Sequence, residues 1–374
     1  MLKSLNLNRR DWLKSTGAAV AGLALAPSLK LRAQHEADRS ARSAEPARVS
    51  GNENPYGPSQ MAIMAMMTNL ERSYRYPRDE VAQFIELICA KEGVTPEQVV
   101  LGVGSGEILE MFGLWAGPKG GEVVTAQPGY LQLTRTMEAQ GSKIVYVPLN
   151  AALEHDLDAM KAAVTDKTSC VYVCNPNNPT GTVVDAAKLK AFAIEVSKKC
   201  PVFIDEAYLE CADDFEGMTM RSLVGEGHNV VIARTFSKVY GLAGQRIGYG
   251  IMPEAIAKEI KPNGTGSLNL LGVVAAVASL EDLGYVEETR MKIKAERDKL
   301  CATLDELKLT YAKPQGNFVF FKTGMPIKMF QDKMKEENVL VGRPFPPMLD
   351  WCRVSIGSPD EMAMVNAALR KVFA

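Results

Sequence analysis

From Val99 onward the chain alternates short, almost uninterrupted apolar runs with longer segments of helical period, and no other feature narrows the possible folds as far. The runs are QVVLGVG, GEVVTAQ, KIVYVPL, SCVYVCNP, PVFIDEAY, VVIARTFS and RIGYGIM. Between them lie Ser105–Trp115, Leu131–Gln140, Asp185–Lys199 and Glu254–Lys261. Apolar runs without polar alternation belong to strands buried on both faces. Intervening helices supply the crossovers that parallel strands need, so the pattern predicts an α/β fold with a mostly parallel, helix-covered sheet. Ligands of such sheets sit beyond the carboxyl ends of the strands.

After Pro262-Asn263-Gly264 the pattern changes. Residues 267–307 read as one or two long helices. NFVFFK, a helix near Met325–Asn338, the strand pair VLVGR and WCRVSIG, and a last helix from Pro359 follow. The 374 residues, 47% of them hydrophobic, suit two sub-domains: a large one over 49–266 with an N-terminal arm, and a smaller α+β one over 267–374 that includes the interdomain helix.

The N-terminus reads differently. Asn8-Arg9-Arg10-Asp11-Trp12-Leu13-Lys14 resembles the twin-arginine export signal, and a Gly/Ala-rich run, Thr16–Ala26, follows it. Leu31-Arg32-Ala33 offers a cleavage site. Gly17, Gly22 and Pro27 argue against one continuous amphipathic helix. Residues 1–33 are therefore expected to be a signal peptide and 34–48 a polar leader. The resemblance implies passage through the twin-arginine machinery, already folded, to the periplasm.

A formal charge of −1 argues against affinity for a phosphate backbone, so no nucleic-acid partner is expected. No run of 18 uncharged apolar residues is present, so no membrane span is expected. Seven cysteines without CxxC pairing read as buried thiols. Three scattered histidines support neither a metal site nor histidine catalysis.

The strand exits carry the chemistry. GVGSGEILEMF opens a helix at Ser105-Gly106-Glu107, where free amides and the helix N-terminus suit a phosphate. QPGYLQL presents Tyr130, an aromatic able to stack on a planar ring. VCNPNNPTG is a proline-stiffened loop that aims an amide side chain, Asn178. VFIDEAY buries Asp205, a costly place for a carboxylate without a cation or strong donor, with Tyr208 close behind. TFSK delivers Lys238 at the end of an apolar strand, eight residues before Arg246. Each of these alone could serve the fold and nothing more. Together they describe a site for pyridoxal 5′-phosphate (PLP), with the lysine as covalent anchor and the buried acid on the pyridine nitrogen.

The motifs NENPYG (Asn52–Gly57), Tyr76-Pro77, NPNNPTG (Asn175–Gly181), DEAY (Asp205–Tyr208), TFSKVYGLAGQRIG (Thr235–Gly248) and Arg353 in WCRVSIG stand in one order. In them the chain resembles fold-type I, class I/II aminotransferases, and most closely their histidinol-phosphate aminotransferase branch, from about Val49 to the C-terminus. The resemblance implies that Lys238 anchors the cofactor and shuttles a proton, and that Asp205 keeps the pyridine nitrogen protonated. Asn178 and Tyr208 would bond the ring's phenolic oxygen, and Tyr130 would stack on the ring. Ser105, Gly106, Glu107, Ser237 and Arg246 would surround the phosphate, and Tyr76 would reach the site of a second subunit, implying a homodimer. Arg353, with Asn54, Tyr56 and Arg343, would meet the substrate. Transfer of an amino group to a 2-oxo acid is the expected reaction. Decarboxylation of a phosphorylated amino acid, or ligand binding without catalysis, stay open.

Overall fold

The computed structural model describes residues 45–374. The expected signal peptide and most of the expected leader lie outside the described residues. The leader's last two residues form strand β1 (Ala47–Arg48), just before the expected start of the large domain at 49. Helices α1 (Gln60–Asn69) and α2 (Arg78–Glu92) follow, the first capped by Ser59, whose Oγ accepts the Ala62 N–H at 3.1 Å.

All seven apolar runs become strands. They are β2 (Val99–Gly102), β3 (Glu122–Gln127), β4 (Lys143–Pro148), β5 (Thr168–Cys174), β6 (Val202–Asp205), β7 (Val230–Thr235) and β8 (Gly248–Ile251). The helices of six or more residues between them are α3 (Ser105–Ala116), α4 (Gln132–Ala139), α5 (Leu157–Ala162) and α6 (Ala186–Val196), with α7 (Glu254–Ile260) after β8. The sheet order is β2-β8-β7-β6-β5-β3-β4, parallel except for β8, which runs against both neighbours. Six strands therefore deliver their carboxyl ends to one edge, and β8 starts there, with Gly248 opposite both Gly102 and Thr235.

The period-2 geometry of these strands divides the core. Cys170, Tyr172, Phe203, Val231 and Ala233 face the α3, α4 and α7 side, while Val171, Val173, Ile204 and Ile232 face the other. Both sets are fully or almost fully buried, as the unbroken apolar runs require. Each fully buried valine or isoleucine contributes roughly 1.5–3 kcal/mol.

The remaining elements are α8 (Leu270–Glu281), α9 (Leu283–Glu306), β9 (Phe318–Lys322), α10 (Ile327–Glu336), β10 (Val339–Leu340), β11 (Trp351–Ser355) and α11 (Pro359–Val372). Helix α8 lies against α1 and α2. The expected pairing of VLVGR with WCRVSIG is corrected here. β11 pairs antiparallel with β9, β10 pairs with β1, and the Gly342 N–H reaching the Arg353 carbonyl at 3.0 Å bridges the two segments. The NFVFFK strand has the longer apolar face, and it takes β11 as its partner. Residues 47–374 form one compact unit.

Candidate active site

At the carboxyl edge of the sheet, residues of five loops line a cavity of about 620 Å³. Lys238 enters it from the end of β7, where Thr235 shapes the turn: its Oγ1 accepts the Ser237 N–H at 3.1 Å and donates to Ser237 Oγ at 2.9 Å. The Lys238 amine donates to the Asn52 carbonyl at 3.1 Å and lies 5.1 Å from the centre of the Tyr208 ring. Removal from water, reinforced by the Arg353 cation, pulls this amine down to about 8. A lysine so placed is neutral often enough near neutral pH to act as nucleophile and base.

Asp205 ends β6 on the same edge and is 2% exposed. Its carboxylate accepts the Ala207 N–H and the Tyr172 hydroxyl, each at 3.1 Å, and burial pushes it up to about 6. Among the described residues it has no ion-pair partner within salt-bridge distance. A buried carboxylate in that state suits a cationic ligand atom. The next residue, Glu206, turns to the opposite face and pairs at 2.9 Å with the buried Arg234 of β7, which also meets Glu92 of α2 at 3.2 Å. That network fixes the exits of β6 and β7, and hence Asp205 and Lys238, relative to one another.

Tyr208 follows on the loop after β6. Burial pushes its hydroxyl up to about 12, so it stays protonated at neutral pH. Asn178 Nδ2 donates to it at 3.1 Å, and Arg353 NH1 donates to Asn178 Oδ1 at 2.7 Å. Arg353 also donates to the Ser50 carbonyl at 2.8 Å, and its buried Nε has no partner among the described residues.

The other end of the cavity is built for a phosphate. The N–H groups of Ser105 and Gly106, at the start of α3, meet no acceptor among the described residues. Arg246 closes the space, donating to Ser237 Oγ at 3.2 Å and to the Val103 carbonyl at 3.0 Å. The packing is tight enough that a Cβ on Gly104 would collide with that guanidinium, and one on Gly248 with the Ser105 amide nitrogen. Glu107 lines the cavity, but its carboxylate is occupied by Val103 N–H at 2.7 Å and by both donors of Thr265 at 2.8 Å. Burial alone would raise it, yet these bonds hold it below its ordinary value. Its expected place on the phosphate becomes that of a brace for the loop, since a carboxylate aimed at a phosphate would repel it. Tyr130 stands on the wall, its hydroxyl 2.7 Å from Gln132 Oε1.

Asn178 and Arg353 do not line the cavity and stand behind Tyr208, and four other expected residues are not brought to it at all. Asn54 spends its amide on the Val239 carbonyl at 2.8 Å, tying the arm to the turn after Lys238. Tyr56 lies under Lys292, 5.2 Å from its amine. Arg343 is exposed and rests on Phe345, 4.3 Å from the ring centre, with Arg353 5.0 Å from that ring. Tyr76 is 77% exposed beside residues 267–271. Two residues that the sequence did not single out do belong: Tyr172 of β5, on the sheet face that it shares with Asp205 of β6, and Asn52. The first was legible only as a polar break in SCVYVCNP, and the second only as part of a motif credited to its neighbours.

The cavity therefore offers PLP what its parts require: amides and an arginine for the phosphate, an uncompensated acid for the ring nitrogen, a phenol for the ring oxygen and a lysine for the aldehyde. Residues 48–369 match the family model for aminotransferase class I and II. The histidinol-phosphate aminotransferases of Limosilactobacillus fermentum and Moorella thermoacetica are each 35% identical to the chain. The first alignment covers 86% of this chain and 89% of the relative, the second 87% and 85%. The crystal structure of histidinol-phosphate aminotransferase from Sinorhizobium meliloti in complex with pyridoxal-5′-phosphate superposes with a TM-score of 0.81 at 28% identity. It covers 90% of this chain and 94% of that one. With those matches spanning the lysine, the acid and the phosphate loop alike, the chain belongs to the class I and II aminotransferases and is a PLP-dependent transaminase.

Proposed function

We propose that this transaminase takes its amino group from a donor whose anionic end is held by Arg353, passes it to a 2-oxo acid, and works as an exported homodimer. The observation that carries the reading is the placement of Lys238 and Asp205 on one cavity, with Arg353 held against Asn178 beside Tyr208. When bound, PLP supplies an electron sink for the pair left behind as the α-carbon gives up its proton. Asp205 holds the proton on the ring nitrogen, and Tyr208 and Asn178 hold the phenolic oxygen. Ser105, Gly106, Ser237 and Arg246 hold the phosphate. Lys238 Nζ, once freed by the incoming amine, would take the proton from the donor's α-carbon and carry it to the cofactor carbon that had been the aldehyde.

Because the named relatives act on histidinol phosphate, that amine is the first donor to test, followed by L- and D-amino acids and phosphothreonine. Each is added alone to the holoenzyme. A true donor is expected to convert the cofactor stoichiometrically to pyridoxamine phosphate, seen as loss of its visible absorbance. Turnover with release of carbon dioxide and no pyridoxamine phosphate would replace transamination with decarboxylation.

A second copy of the chain is the proposed partner. Met61, Met64, Met67 and Leu70 recur every third residue and are 45–60% exposed, and Tyr74 and Tyr76 extend the patch. An apolar stripe of that kind marks an interface. For export, Arg9 and Arg10 are the carriers proposed. Changing both to lysine is expected to leave the protein in the cytoplasmic fraction, and undiminished periplasmic accumulation would rule the signal out.

A further inference from the structure

Asn52 is held with φ at +52°, in the left-handed region that few residues other than glycine, asparagine and aspartate enter without strain. Its contacts account for the persistence of that conformation. Its N–H donates to Ser355 Oγ at 2.8 Å, and the Ser355 hydroxyl donates back to Asn52 Oδ1 at 2.6 Å. Asn317 Nδ2 donates to its carbonyl at 3.1 Å, and Lys238 Nζ reaches the same carbonyl at 3.1 Å. With Oδ1 accepting the Ser355 hydroxyl, the amide's nitrogen is turned to the other side. Nδ2 then donates to the Tyr208 hydroxyl oxygen at 3.3 Å.

That oxygen also accepts Asn178 Nδ2 at 3.1 Å. A phenol has two lone pairs and one proton. Two amide donors fill the lone pairs, and no acceptor for the Tyr208 proton lies among the described residues. The hydroxyl is left with one capacity, to donate into the cavity. β11 governs both amides: Arg353 fixes Asn178, and Ser355, two residues on and so on the same face of the strand, fixes Asn52.

We propose that Asn52 is a positioning residue which, by occupying the second lone pair of Tyr208, compels the tyrosine to donate to the cofactor's phenolic oxygen, while its carbonyl gives the Lys238 amine a resting place. The inference rests on the assignment of this cavity to PLP. It adds a residue that touches neither substrate nor cofactor, and couples the anion-binding arginine's strand to the lysine through one loop.

Donation to the phenolic oxygen stabilises its anion and lowers the pH at which the lysine-bound cofactor loses its proton. The test is a pH titration of the holoenzyme's visible absorbance. Asn52→Gly tolerates the left-handed φ, drops the amide, and leaves the charges of Lys238, Arg353, Asp205, Arg246 and Glu53 in place. Its midpoint is expected to rise by about 0.5–1 pH unit, the scale of one hydrogen bond. Ser355→Ala, which frees the amide to turn, should move it the same way by less. Asn52→Asp, whose carboxylate would draw the Tyr208 proton away from the cavity, should move it by more. If Tyr208→Phe shifts the midpoint while Asn52→Gly titrates with the unmodified enzyme, the role proposed for Asn52 is overturned. If Tyr208→Phe leaves the midpoint unmoved as well, the assignment of Tyr208 to the ring oxygen falls with it.

Discussion

Replacing Lys238 by alanine is expected to abolish the covalent bond to PLP and to lower turnover by at least about 10⁴-fold, because one amine serves as both anchor and proton carrier. The fold should survive. Among the described residues the Lys238 amine makes one hydrogen bond, to the Asn52 carbonyl, and burial already disfavours its charge. Borohydride reduction followed by mass spectrometry reads the bond directly: cofactor mass retained on the Lys238→Ala chain would place the anchor on another residue. The same variant tests the homodimer. A hybrid of one Lys238→Ala subunit and one Tyr76→Ala subunit keeps a complete site only if Tyr76 serves the partner's cavity. Co-expressed subunits should then exceed the activity of either homodimer. Activity no higher than that of the two homodimers would confine Tyr76 to its own chain.

The sheet was legible because its strands are buried on both faces, and burial on both faces is what keeps polar residues out of a run of that length. Every run from QVVLGVG to RIGYGIM is a strand, and Ser105, Asp205 and Lys238 stand at or just past strand ends on the expected edge. The C-terminal pairing was less legible. WCRVSIG could ladder with VLVGR or with NFVFFK on pattern alone, and long-range packing decided for β9. In NENPYG the sequence does not say which asparagine faces the cavity. A left-handed φ at Asn52 turns its side chain toward Tyr208 and sends Asn54 to Val239 instead. Glu107 misled for a related reason: a helix start that suits a phosphate equally suits a carboxylate that braces its own loop.

The Asp205→Asn variant should lose about 10³-fold in turnover while its cofactor-free form becomes more stable at neutral pH. The second half follows from linkage. Folding raises the Asp205 carboxyl from an ordinary value of 3.8 to about 6, so the folded chain holds this proton more tightly than the unfolded one. Its contribution is fully present below pH 3.8 and is lost as pH rises through 6. Above that, the ionised group costs the cofactor-free fold roughly 3 kcal/mol relative to acid conditions. Asparagine keeps Oδ1 for the Ala207 N–H, its Nδ2 in place of Oδ2 can donate to the Tyr172 hydroxyl oxygen, and it brings no charge. Cofactor-free Asp205→Asn should therefore melt several degrees above the cofactor-free parent at pH 8 and close to it at pH 4. Melting curves displaced by the same amount at both pH values would show that the carboxylate's ionisation is not what burdens the fold. With PLP bound the order should reverse, since the ring nitrogen's proton gives Asp205 the ion-pair partner that it lacks among the described residues. The same unpaired carboxylate that weakens the empty protein thus gives it a reason to hold the cofactor, and a ring held protonated is the one that can accept the electron pair.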